Sequence, residues 1–73
     1  MSDHTYKIVE IVGSSPSSIE EAIGNGVARA SQTLRNMRWF EVVQIRGEFE
    51  KGEIAFYQAH LKIGFTLDAA SST

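Results

Sequence analysis

Four side chains of this sequence have a chemistry that packing alone does not exhaust. Trp39 is the only tryptophan of 73 residues, and it opens the run Trp39-Phe40-Glu41-Val42-Val43-Gln44-Ile45-Arg46-Gly47. An indole is flat, polarisable and electron-rich. It stacks offset on a flat, electron-poor ring, at roughly 1–3 kcal/mol per ring by analogy with base stacking on aromatics. Gln58 interrupts an apolar run in Phe56-Tyr57-Gln58-Ala59. Its carboxamide sets a donor beside an acceptor, the complement of a heterocycle edge in which an N–H is flanked by carbonyls. Arg46 can grip a phosphate through paired hydrogen bonds or cover a stacked ring by cation–π contact. His60 lies two positions from Gln58 and shares its face of an extended chain. Each has a plainer role: interface filler, solvent-face amide, strand charge paired with Glu48, structural histidine. Glu41, on the Trp39 face, suits a salt bridge between subunits.

Other chemistries are absent. The chain has no cysteine, and its two histidines, His4 and His60, are far apart, so no zinc-binding spacing exists. There are no paired acids at a catalytic spacing and no Ser-His-Asp arrangement. Gly24-Asn25-Gly26 falls inside a helical pattern, the wrong context for a phosphate-binding loop. No catalytic residue is assigned, and the expectation is a protein that is not an enzyme. A net charge of −2 argues against a nucleic-acid partner. The N-terminus lacks the apolar stretch of a signal peptide and no run reaches membrane length, so no membrane partner and a cytoplasmic location are expected.

The elements that must position these residues make a single domain over 1–73, ordered over about 4–68 with a polar tail at 69–73. Residues 5–13 read as a strand covered on both faces, closed by Gly13. Ser14-Ser15-Pro16-Ser17-Ser18 offers two helix starts between 16 and 18: Ser15 capping with Pro16 first, or a Ser17/Glu20 capping box. Ile19, Ala22, Ile23, Val27, Ala30, Leu34 and Met37 then recur at helical spacing, predicting an amphipathic helix of about five turns. The small residues Ala22, Gly26 and Ala30 on its stripe let it lie close to its neighbour. A second strand is expected over about 39–50, a tight hairpin at Glu50-Lys51-Gly52-Glu53, and a third strand over about 53–67, with Ala55 to Leu67 alternating toward the helix. Strand directions then require a three-stranded antiparallel sheet of order 1-3-2 with one helix on it, an α+β fold of β-α-β-β type. If Glu50 pairs with Glu53, Gln58 falls opposite Ile45 and Trp39 opposite Gly64. Trp39 and Gln58 are then about 20 Å apart on one face at ~3.3 Å per residue. Either a bulge breaks that register or a site using both takes them from different subunits. So small a domain buries only about 60% of its unfolded surface. With disulfide and zinc excluded, oligomerisation is the remaining staple.

Trp39-Phe40-Glu41-Val42, Ile45-Arg46-Gly47, Phe56-Tyr57-Gln58 and Gly64-Phe65-Thr66-Leu67, with Tyr6-Lys7-Ile8-Val9-Glu10-Ile11-Val12-Gly13 before them, together resemble the dodecins. These are very small flavin-binding proteins that assemble into hollow dodecamers. The resemblance runs over nearly the whole chain. It implies a homododecamer that stores and sequesters flavin (FMN, riboflavin or lumichrome) and quenches its photochemistry. Trp39 of two subunits would sandwich a flavin pair across a two-fold axis, Gln58 would meet the pyrimidine edge, and Arg46 would lie near the flavin, reaching a phosphate or covering the stack; His60, placed only by sharing the Gln58 face, would border the pocket. Thr66 stands where many bacterial relatives have an arginine. Some of those also bind coenzyme A, so the resemblance leaves that second ligand open. The competing readings are a structural shell or interaction module without flavin, and a flavin-dependent enzyme. The enzyme is disfavoured because sandwiched flavins have both ring faces occupied.

Overall fold

The computed structural model describes residues 4–67; Asp68 and the polar tail expected over 69–73 lie outside the described residues. The chain runs β1 (Thr5–Ser15), α1 (Ile19–Ala30), β2 (Met37–Glu50) and β3 (Glu53–Leu67). The strands form one antiparallel sheet of order β1-β3-β2, as strand direction requires.

The helix starts one residue later than expected and ends well before Met37. Neither Ser15 nor Ser17 caps it; Ser18 does, its hydroxyl accepting from the Glu21 amide at 3.0 Å. Ser15 is pulled out of contention because its buried hydroxyl accepts from the Ser17 amide and donates to the Glu21 carboxylate, both at 2.9 Å. At the other end the chain leaves the helix at Ser31, whose hydroxyl donates to the Ala28 carbonyl at 2.7 Å. The amides of Thr33 and Leu34 then converge on the Ala30 carbonyl. Ser, Thr and Asn compete with the helix by bonding to nearby backbone, and Asn36 takes a positive φ of 62°. Leu34 and Met37 still turn partly inward, so the apolar stripe is real but is continued by a turn and a strand rather than by the helix.

Helix and sheet meet through glycine. A Cβ at Gly13 would collide with the Ala22 carbonyl oxygen and come within 2.9 Å of the Gly26 amide nitrogen. The backbones therefore approach as only unsubstituted positions allow. The Asn25 carboxamide donates to the Ser14 carbonyl at 3.0 Å beside this crossing. Ala22, Gly26 and Ala30 are the buried helical residues, and Ala22 joins Ala59 and Leu61 in the core, backed by Ile11, Ile23 and Val27. The helix packs on β1 and β3. Strand β2 is solvent-exposed along its length apart from the partly covered Met37, leaving Phe40, Val42, Ile45 and Phe49 uncovered. A plate of 55 × 20 × 14 Å with so few buried side chains lacks a self-sufficient core.

The β2–β3 hairpin turns on Lys51 and Gly52, at φ 55° and 79°. Two positive φ values match the right-handed twist of the flanking strands. Register then breaks three times. Ala55 on β3, and Val43 and Arg38 on β2, have no partner across the ladder, so each is a bulge that bends and twists the ladder locally. The first break moves Gln58 from its expected partner Ile45 to Arg46, and the second restores Trp39 to Gly64. The expected pairing was thus right at Trp39 and one residue off at Gln58.

Candidate functional site

The face of the sheet turned away from the helix carries all four candidate residues. Its rows follow from the two registers. Ile8, Gly64 and Trp39 lie abreast, followed by Glu10, Lys62 and Glu41, then Val12, His60 and Gln44, then Ser14, Gln58 and Arg46. Gln58 and Arg46 are therefore direct neighbours, with His60 in the adjoining row. Trp39 stands six residues along β3 from Gln58, about 20 Å at ~3.3 Å per residue. One chain brings the amide, the guanidinium and the imidazole together and leaves the indole apart.

The indole is seated on bare backbone. A Cβ at Gly64 would fall closer than 3.0 Å to Cζ2, Cε2 and Cη2 of Trp39. Three consecutive ring carbons at nearly equal distance put that point over the face of the ring; an approach from the rim would favour the middle carbon alone. One face of the indole thus rests on Gly64, an aromatic covering a strand glycine. The Tyr6 ring packs against it, with centroids 5.1 Å apart and planes at 65°, an edge-to-face pair. Even so, Trp39 remains 40% exposed.

At the same end, the Arg38 Nε donates to the Thr66 hydroxyl at 2.9 Å. Thr66 is buried, and its amide donates to the Asn36 carbonyl at 3.1 Å. A shallow cleft of about 160 Å³, lined by Val27, Met37, Arg38, Trp39, Phe40 and Ile63, lies at this end of the sheet on its helix side and includes none of Gln58, Arg46 or His60. At the opposite end His60 is committed: its Nε2 lies 2.8 Å from the Glu10 carboxylate, which accepts the hydrogen bond from the ring N–H. Among the described residues no group of His, Cys, Asp or Glu is arranged to hold a metal ion, and no helix is long and apolar enough to cross a membrane.

Sequence reasoning missed Gly64 as the seat of Trp39, Tyr6 as its edge-to-face partner and Arg38 as its charged neighbour. The seat had a signal, since an isolated glycine inside a strand marks a close approach to its backbone. Tyr6 and Arg38 had none, because their roles depend on a cross-sheet contact and on a bulge.

This geometry can be set against known proteins. The dodecin family model matches residues 5–68. The chain belongs to the dodecin family. It is 46% identical over 63 residues to the dodecin of Thermus thermophilus, covering 86% of this chain and 91% of that one. A dodecin structure from Streptomyces davaonensis superposes with a TM-score of 0.88 at 54% identity, over 92% of this chain and 98% of the other. More distant is the calcium dodecin of Mycobacterium tuberculosis, 28% identical over 65 residues, 89% of this chain and 92% of that one. The β-α-β-β arrangement with sheet order 1-3-2 is the dodecin fold. Dodecins are binding proteins rather than enzymes, and this dodecin is one of them.

Proposed function

We propose that this protein binds flavin by stacking the isoalloxazine on Trp39, in a pocket completed by a second subunit, and that it stores the flavin and quenches its photochemistry. The observation that carries the reading is the seat of the indole. One ring face is fixed on Gly64 and Tyr6 packs against the ring as an edge-to-face pair, while 40% of the residue stays exposed. A tryptophan held rigid yet open presents a flat, electron-rich wall. An electron-poor isoalloxazine is its complement, and the bare Gly64 backbone is what lets the wall lie flat. An excited flavin against an indole accepts an electron and returns it before oxygen reacts, which accounts for quenching.

Gln58 and Arg46, abreast at the other end of the same face, supply an amide and a cation for the pyrimidine edge. Their distance from Trp39 within one chain supports a pocket whose two halves come from different copies. The exposed apolar length of β2 and the small core support the assembly that this needs, a homododecamer. His60, tied to Glu10, borders the Gln58 row without a direct role in the ring contact. FMN, riboflavin and lumichrome all share the stacking ring, and all three are candidate ligands. Coenzyme A gains no support, since Thr66 is buried and engaged by Arg38.

The test is spectroscopic. Purified protein is titrated with FMN, riboflavin and lumichrome while flavin and tryptophan emission are followed. Saturable quenching of both emissions, at one flavin per chain, is the expected result. A colourless protein that leaves flavin emission unchanged would favour a structural shell in which Trp39 is an interface anchor.

A further inference from the structure

The geometry points to Arg38 as the residue that reads the phosphate of a phosphorylated flavin, and so sets the preference between FMN and riboflavin. The inference rests on the stacking of flavin on Trp39. Arg38 is the bulged residue between the Met37 and Trp39 pairings, and a bulge re-aims its side chain away from the ladder. Its direction is then fixed from inside the fold. Nε donates at 2.9 Å to the hydroxyl of Thr66, which is 4% exposed and tied through its own amide to Asn36. Anchoring through Nε directs the outer pair of guanidinium nitrogens away from Thr66, and that pair is a fork matched to two phosphate oxygens.

Thr66 lies two residues along β3 from Gly64 and so on the face that carries Trp39, which puts the anchored fork near the indole, where a tethered anion would come. Arg38 and Trp39 line one cleft, and the other lining residues, Val27, Met37, Phe40 and Ile63, are apolar. Arg38 is thus the one charged residue that lines this cleft. Among the described residues no carboxylate is paired with it, the sole ion-pair contact being that of His60 with Glu10. The ring and the phosphate of FMN are joined by a short flexible chain. A phosphate monoester carries about −1.5 to −2 charges at neutral pH, so a ring on Trp39 brings a strong anion within a side chain's reach of the adjacent residue. The other candidate cation, Arg46, sits opposite Gln58. Whichever subunit supplies it, it comes with the carboxamide and so with the pyrimidine edge, which riboflavin and FMN share. Two arginines thereby take two tasks: Arg46 holds the common ring, and Arg38 distinguishes the tail.

The experiment compares FMN and riboflavin titrations of the intact assembly for wild type, Arg38→Gln, Thr66→Val and Arg46→Ala, with oligomer mass checked for each. Loss of a charge-assisted hydrogen bond weakens binding by about 10- to 150-fold. Because the cleft is open, Arg38→Gln is expected near the low end, about 10-fold for FMN, with riboflavin unchanged and a shallower salt dependence of FMN binding. Thr66→Val keeps the charge but frees the side chain, and should lose several-fold for FMN alone. It also carries the test if Arg38→Gln fails to assemble. Arg46→Ala should weaken both ligands alike. Equal losses for FMN and riboflavin in Arg38→Gln, no loss at all, or a phosphate-selective loss in Arg46→Ala would each overturn the assignment while leaving flavin stacking intact. A wild type that binds neither flavin would overturn stacking itself.

Discussion

Replacing Gly64 with alanine perturbs the candidate site from beneath, without touching a group that would contact ligand. The added Cβ would come within 2.6 Å of Trp39 Cη2 and closer still to Cζ2 and Cε2. Carbon atoms settle at about 3.5–4.0 Å, so the indole must retreat by about 1 Å or rotate off its seat. The sheet cannot yield instead, because Gly64 is paired on both sides, to Ile8 and to Trp39 itself. Overpacking of this kind costs about 1–3 kcal/mol. With Trp39 substantially exposed on its outer side, the ring has room to move, and the strain is relieved there rather than by unfolding. In a pocket walled by two such indoles both walls advance, and the space for flavin narrows from each side. The cost then appears in binding, as a loss of about 5- to 150-fold in flavin affinity, with the oligomer intact and tryptophan emission altered in the ligand-free protein. The assay is a flavin titration beside size-exclusion mass and tryptophan emission spectra. An assembled Gly64→Ala that binds FMN as tightly as wild type, with the same quenching, would refute the argument that the seat sets the stacking wall.

Three further outcomes are expected. Trp39→Ala should leave the helix-to-sheet core in place and lower flavin affinity by about 5- to 150-fold per lost wall, with the flavin that still binds fluorescing more strongly; dissociation of the oligomer instead would identify Trp39 as an interface anchor. Two glycines close in sequence should respond in opposite directions. Gly13→Ala meets backbone on the facing helix, with Gly26 Cα 3.0 Å away, and should cost about 3 kcal/mol or more or abolish folding. Gly24→Ala meets nothing within 4 Å in a helix interior and should stabilise by up to about 1 kcal/mol; thermal melts of the pair check both signs. Light scattering at micromolar concentration should give a mass many times the 8.1 kDa of one chain, and a monomer would contradict the reading of β2 as an interface strand.

The architecture was legible in the sequence because direction leaves little choice. A strand up, a helix back and a second strand up place the third strand between the other two, whatever the details of its ends. The alternation from Ala59 to Ile63 was equally clear and marks the buried side of β3. The helix end was misread because Leu34 and Met37 keep helical spacing while Ser31 bonds back to the Ala28 carbonyl and Asn36 turns the chain at a positive φ. Spacing reports which side chains turn inward, not which backbone carries them. The bulges were invisible for a different reason. Val42 and Val43 have the same side chain, and nothing local states which of the two leaves the ladder; nor does anything at Ala55 announce the break that puts Arg46 beside Gln58. The site was therefore legible as residue types and not as partners. Trp39, Gln58, Arg46 and His60 stood out by type and Gly64 carried the signal of a lone strand glycine, whereas Tyr6 and Arg38 become visible only once the sheet is assembled.

The bulge at Val43 reaches beyond register. Without Val43, Val42 would still face Leu61 and Gln44 would still face His60, now as consecutive residues of an unbroken ladder, with every side chain on the face it already occupies. The extra residue is thus unnecessary for pairing or for display, and what it contributes is curvature. Bowing the plate changes the angle at which its exposed edge meets a copy of itself, and that angle decides whether repeated contacts close or continue without end. One valine in the middle of the most exposed strand thereby bears on whether the assembly is a closed vessel or an open lattice.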